Sequence, residues 1–87
     1  MSSSHHTIRR PQDMGQALRR IRRARQLTQA QLAELTGLRQ PTISELEQGA
    51  PGTRLQTLFD VLAALDLELN LQPRTGADQQ TIEALFG

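Results

Sequence analysis

Residues 27–49, LTQAQLAELTGLRQPTISELEQG, constrain this chain more than any other stretch: they read as two short amphipathic helices joined by a tight glycine turn. Thr28 and Gln31 stand three residues apart, the spacing of a capping box in which each side chain satisfies a backbone N–H that the first helical turn leaves unpaired. Leu32, Ala33 and Leu35 give the first helix an apolar face. Gly37 supplies the left-handed conformation that ends such a helix and turns the chain, and Leu38 drops into the core just after it. A second helix over about Gln40 to Gln48 buries Ile43 and Leu46 and leaves Arg39, Gln40, Pro41, Thr42, Ser44 and Glu45 outside.

A short helix with a polar outer face, set behind a glycine turn, has the layout of a helix-turn-helix that places its second helix in the major groove of DNA. Charge is distributed to suit. The net charge of the 87 residues is only +1, but residues 1–50 hold eight arginines against four acids, whereas residues 51–87 hold two arginines against five. The basic half is the half with the two helices, and a basic surface gains affinity for phosphates by releasing counterions. Solvated charge on unrelated helices is the plainer account of the arginine cluster.

Around this centre the chain reads as follows. Met1–Thr7, MSSSHHT, is polar and low in complexity, a leader or frayed terminus, and Ile8–Pro11 reads as a short arm with Arg9 and Arg10 able to touch DNA, for which disordered, solvated charge is the plainer account; residues 1–11 are set apart from the fold. His5 and His6 are adjacent rather than at helical metal-ligand spacing, and no metal site is expected. A first helix from about Gln12 or Asp13 to Gln26 repeats Met14, Ala17, Leu18, Ile21 and Ala24 at helical spacing. Arg19, Arg20, Arg22, Arg23 and Arg25 cannot all share one face of it. After Ala50-Pro51-Gly52, Thr53 and Gln56 suggest a second capping box that opens a helix over Arg54 to Ala64. Leu55, Leu58, Phe59, Leu62 and Leu65 give this helix a broad apolar face, and Phe59 reads as core.

Leu67 to Gln72 changes period. Leu67, Leu69 and Leu71 alternate with Glu68, Asn70 and Gln72, a half-buried strand bounded by Pro73. A lone strand in a helical chain has no partner for its backbone groups, and the same strand of a second copy, paired antiparallel across a twofold axis, supplies one. Residues 67–73 are thus expected to dimerise the chain; a continuation of the fourth helix or an extended tail is the other reading. Residues 74–87 read as a flexible tail ending in a short apolar patch, Thr81 to Phe86, of the kind that folds on a partner or packs on its own domain.

At this point residues 13–66 resemble the XRE family, the Cro and lambda-repressor-like helix-turn-helix domains, through Leu27-Thr28-Gln29, Gln31-Leu32-Ala33, Gly37, Thr42-Ile43-Ser44 and Leu46-Glu47-Gln48-Gly49. The strand after the fourth helix narrows the resemblance to the HipB-type antitoxins, whose paired strands cap a dimer and which bind a HipA-like kinase toxin. The expected fold is all-α, a bundle of four to five helices over residues 12–66, with one short C-terminal strand pairing across a homodimer.

The resemblance implies that Arg22 and Glu47 form a salt bridge holding the first helix against the reader, and that Arg39 and Gln40 reach base edges. Arginine can donate two bonds to guanine and glutamine can pair with adenine. Thr42 and Ser44 reach bases or phosphates. Thr28 and Gln29, at a helix N-terminus, suit a phosphate, as do Thr53 and Arg54 on the other flank. Pro41 and Glu45 depart from the usual pattern: the first offers only a stiff turn and an apolar contact, the second a carboxylate that needs a cytosine amino group. Ile82, Leu85 and Phe86 are the residues of the tail expected to meet a toxin.

The implied function is a cytoplasmic, dimeric repressor that reads a palindromic operator, holds a kinase toxin and represses its own operon. A stand-alone regulator without a toxin shares every feature except the purpose of the tail, and a protein-only interaction module is the reading that Pro41 and Glu45 motivate. An enzyme is not expected. The chain has no cysteine, tyrosine or lysine, and both histidines lie in the leader, so bases and nucleophiles are scarce. No cofactor or membrane segment is indicated either.

Overall fold

The computed structural model describes residues 6–74, which form four helices: α1 (Pro11–Ala24), α2 (Gln29–Thr36), α3 (Gln40–Glu47) and α4 (Leu55–Ala64). The described residues contain no strand. α1 begins where the Asp13 carboxylate accepts from the backbone N–H of Arg9 at 3.0 Å and of Arg10 at 3.1 Å, with Pro11 at the first turn, where its missing N–H costs nothing. α2 begins with the reciprocal capping box: the Gln31 N–H donates to the Thr28 hydroxyl at 3.0 Å, and the Thr28 N–H donates to the Gln31 side-chain oxygen at 2.8 Å.

The helix ends share a device. A residue with left-handed backbone, Gln26 (φ 59°), Gly37 (φ 74°), Gly49 (φ 82°) and Asp66 (φ 57°), follows each helix. In each case the next N–H reaches back five residues to a carbonyl, as from Leu27 to Arg22 and from Leu67 to Leu62. This is the Schellman arrangement, which satisfies carbonyls that would otherwise point into solvent or the core.

α4 begins one residue later than expected, with Arg54 rather than Thr53 as its cap. The expected Thr53–Gln56 capping box does not form. Thr53 spends both its N–H and its hydroxyl on the Ala50 carbonyl, closing the loop after α3, and the Gln56 amide donates instead to Asp60 at 2.9 Å.

The core is mainly aliphatic: Leu18, Leu32, Ala33, Ile43, Leu46, Val61, Leu62 and Leu65, with Met14, Ile21, Leu27, Leu38, Leu58 and Leu67 packed around it. α3 packs on both α1 and α2, and α2 packs on α4. Some expected core residues lie outside. Ala24 and Leu35 are exposed. Phe59 is 48% exposed and Leu55 71%, because Leu58, Val61, Leu62 and Leu65 already fill the inward side of α4.

The expected strand is not formed among the described residues. Leu67 is half-buried, but Leu69 and Leu71 are exposed, and residues 68–74 make no backbone hydrogen bond among the described residues. A strand exists only as part of a ladder, and the described residues offer no second strand to pair with. Ile82, Leu85 and Phe86 lie outside the described residues. Among the described residues, no helix is long and apolar enough to cross a membrane.

Candidate nucleic-acid interface

α3 has one buried side and one open side, and its sequence decides which is which. Ile43 and Leu46 are almost wholly buried and Glu47 lies beside them, at the i, i+3, i+4 positions that share a helix face. Arg39, Gln40, Pro41 and Glu45 are exposed, while Thr42 and Ser44 are half-buried at the margin. Arg39 is the N-cap: its carbonyl accepts from the N–H of Thr42 and Ile43, and its side chain makes no capping bond. Pro41 sits in the first turn, where its fixed φ stiffens the backbone that carries Arg39 and Gln40. Ser44 accepts from the Gln48 amide at 3.1 Å and keeps its own hydroxyl proton to donate.

Two close contacts set the pose of α3. The Arg22 guanidinium meets the Glu47 carboxylate twice, Nε to Oε2 at 2.6 Å and Nη2 to Oε1 at 2.9 Å, and its remaining arm donates to the Leu27 carbonyl at 2.7 Å. Both side chains are under one tenth exposed. Burial pushes the Glu47 carboxyl up, but hydrogen bonds from Arg22 and Gln29 and the charges of Arg22 and Arg19 outweigh it, so its pKa lies below the ordinary 4.5. The hydrogen bond to Glu47 raises the pKa of Arg22. The second contact is Gly15, buried in the middle of α1. A Cβ there would meet the carbonyl oxygens of Glu47 and Leu46, the latter at 2.6 Å. Only glycine lets α1 lie against the end of α3.

On one flank of the reader, the N-terminus of α2 carries Thr28, exposed, and Gln29, half-buried. The Gln29 side chain is not turned outward: its amide donates to Glu47 Oε1 at 3.1 Å. A phosphate contact at Gln29 therefore falls to the backbone N–H at the helix end, not to the amide. Thr28 accepts from Gln31 and keeps its hydroxyl proton. On the other flank, Arg54 is exposed at the start of α4, and Thr53 is half-buried with its hydroxyl proton given to Ala50. Arg9, Arg10 and Arg54 line a single open cavity of about 300 Å³ that also includes Ile8, Met14, Leu46 and Leu58. The arm before α1 thus lies beside the start of α4.

Gly15 and the inward turn of Gln29 went unread in the sequence. The first had a signal: a glycine inside an amphipathic helix costs about 1 kcal/mol against alanine, and something must offset it. The second had none, since helix-end glutamines point either way.

Residues 18–72 match the helix-turn-helix family. The antitoxin HipB of Escherichia coli (strain K12) is 31% identical over 80 residues, spanning 92% of this chain and 91% of that one. Among solved structures, the HipB-O4 20mer complex superposes with a TM-score of 0.75 at 32% identity, covering 79% of this chain and 97% of that one. The HipA-HipB-O2-O3 complex gives a TM-score of 0.74 at the same identity and coverage. With family, fold and near-full-length similarity in agreement, the chain belongs to the helix-turn-helix family and, within it, to the HipB antitoxins.

Proposed function

We propose that this chain is a sequence-specific DNA-binding repressor and the antitoxin of a HipBA-type module, which acts as a homodimer, holds a HipA-like kinase toxin and represses its own operon. The observation that carries this reading is the polar edge Arg39–Glu45, exposed on a short helix whose other side is clamped by the Arg22–Glu47 bridge. The edge has the size and chemistry to enter a major groove, and the clamp fixes its angle. Arg39 and Gln40 read base edges. Thr42 and Ser44 reach bases or phosphates, Pro41 meets a thymine methyl, and Glu45 accepts from a cytosine amino group. Thr28, the Gln29 backbone, Thr53 and Arg54 hold phosphates on the two flanks.

Leu67, Leu69 and Leu71 pair two copies, so that two reader helices stand about one duplex turn apart, or a multiple of it, over a palindrome. Ile82, Leu85 and Phe86 reach the toxin. The similarity to HipB within the HipA-HipB-O2-O3 complex supports both partners. Such a protein works in the cytoplasm, where its operator is.

The test is a pull-down of the tagged chain from its native cell in the presence of the upstream DNA, with both protein and duplex identified. Recovery of a kinase together with the upstream palindrome is the expected result. Recovery of the palindrome without a kinase removes the toxin half of the proposal, and recovery of no specific duplex removes the repressor half.

A further inference from the structure

The cavity between the arm and the start of α4 is apolar within and cationic at its rim. Among the residues that line it, Leu46 is buried and Ile8, Met14 and Leu58 are half-buried, whereas Arg9, Arg10 and Arg54 are exposed, and none is acidic. Arg10 is already held by Asp13 at 3.1 Å, but neither Arg9 nor Arg54 makes a salt bridge among the described residues. Its volume of about 300 Å³ stands at the lower end of what small-molecule sites enclose.

We infer that this cavity binds a small amphipathic anion, a carboxylate carried on a short aliphatic body, and that filling it loosens the grip on DNA. The second half rests on the phosphate contact of Arg54 in the proposed function; the first half does not. Charge complementarity is the leading argument. Two uncommitted guanidinium groups share one rim with no carboxylate to neutralise them, and guanidinium takes a carboxylate along two parallel hydrogen bonds. The interior restricts the rest of the ligand. Thr53 carries the only side-chain hydroxyl in the lining, and its proton is given to the Ala50 carbonyl at 2.9 Å. A sugar or nucleoside would therefore bury hydroxyls without partners, which is costly, while an alkyl chain meets Ile8, Met14, Leu46 and Leu58.

Both walls are held by the chain's own hydrogen bonds. The Asp13 carboxylate accepts from the N–H of Arg9 and of Arg10 at 3.0 and 3.1 Å and so pins the arm, and Thr53 closes the opposite loop on Ala50. A ligand thus meets a standing site and does not have to order one. The site also touches the reading machinery, since Leu46 lies in the last turn of α3 and Arg54 caps α4. A carboxylate seated on Arg54 takes that guanidinium from the DNA phosphate, and the repressor is released.

Titration of the full chain with sodium octanoate, kept below its micellar concentration, tests this by the NMR shifts of the Gly49, Ala50 and Leu55 amides. Acetate supplies the charge without the body, and 1-octanol the body without the charge. Octanoate is expected to bind about tenfold or more tightly than either. Arg9→Gln with Arg54→Gln is expected to abolish that preference, and Arg20→Gln, exposed on α1 and off this cavity, to keep it. With the upstream palindrome, saturating octanoate is expected to weaken binding about tenfold and to make its salt dependence shallower by about one unit for each Arg54 displaced. Octanoate that binds no better than octanol, or that shifts amides elsewhere, overturns the site, a comparison on the wild-type chain that needs no variant. Binding in the cavity with unchanged operator affinity overturns the coupling. A ligand-free chain without preference for the palindrome over scrambled DNA removes the proposed function instead, and the NMR titration still decides the site.

Discussion

The guanidinium of Arg22 and the carboxylate of Glu47 face each other along two hydrogen bonds, 2.6 and 2.9 Å long, with both side chains buried. This pair joins the last turn of α1 to the last turn of α3. The fork geometry fixes angle as well as distance, so the reader helix is held in orientation by a polar contact at one end and by Ile43 and Leu46 along its inner side. Neither charge has water to fall back on.

A buried pair is costly to break and inexpensive to replace whole. Arg22→Ala and Glu47→Ala each destabilise the fold by about 3–5 kcal/mol, because each strands a buried charge. The double replacement Arg22→Met with Glu47→Leu is expected to lose much less than the sum of the two. Urea denaturation of the three variants checks this; additive losses would contradict it.

The same carboxylate sets an acid limit. With its folded pKa below the ordinary 4.5, Glu47 binds its proton more readily in the unfolded chain. Its contribution is complete above about pH 4.5 and is lost as pH falls through the lower folded value. Stability measured by thermal melts from pH 7 downward is expected to hold to about pH 5 and then decline. Glu47→Gln is expected to remove part of that decline. Asp13, whose carboxyl is also lowered, chiefly by its hydrogen bond from Arg10, adds to the same window from an exposed position.

Gly15→Ala is expected to destabilise although alanine is the better helix former. The propensity gain is about 1 kcal/mol, but the new methyl meets two backbone carbonyls of α3, which no rotamer change relieves. Overpacking of this kind costs about 1–3 kcal/mol and shifts α3 away from α1. A lowered Tm together with weakened DNA binding is the expected outcome. A raised Tm would show that the two helices separate freely.

Much of this was legible in the residues, and the parts that were not share a cause. Thr28, Gln31 and Gly37 placed the start and end of α2 because caps are local chemistry, settled within four or five residues. Ile43 and Leu46 chose the buried side of α3 for the same reason. Phe59 was misread because periodicity marks an apolar face without saying how much of it the domain itself covers. The Thr53–Gln56 pair had the right spacing and lost to a loop carbonyl at Ala50, a competitor that spacing does not register. Leu67, Leu69 and Leu71 carry a strand pattern, but alternation does not register whether a second extended segment is there to pair with, and the described residues form no strand.

Gln26 is a site of removable strain. It holds φ 59° at the end of α1, a region that costs a residue with a Cβ about 1–2 kcal/mol. Gln26→Gly gives part of that back to the unfolded chain's greater freedom, and a net gain of about 0.5–1 kcal/mol is expected, a rise of several degrees in Tm. Asp66→Gly should gain less, since aspartate tolerates that conformation better. Calorimetry of both variants checks the order; a loss at Gln26 would contradict it.

Reading by Gln40 has its own signature. Gln40→Ala is expected to cost about 1–3 kcal/mol on the operator and to relax discrimination at one base pair of each half-site, leaving random DNA bound as before. Competition binding against single-position operator variants measures it. Equal losses on operator and random DNA would move Gln40 from the bases to the backbone.

The most direct measurement of the whole account is a titration of the chain, at near-physiological salt, onto the palindrome upstream of its gene, one isolated half-site and a scrambled duplex, with stoichiometry read in the same experiment. The account predicts two chains per palindrome and a preference over scrambled DNA of about a thousandfold or more. The half-site should be bound far more weakly, because one reader helix makes half the contacts. Equal affinity for palindrome and scrambled duplex, or one chain per palindrome at saturation, would contradict it.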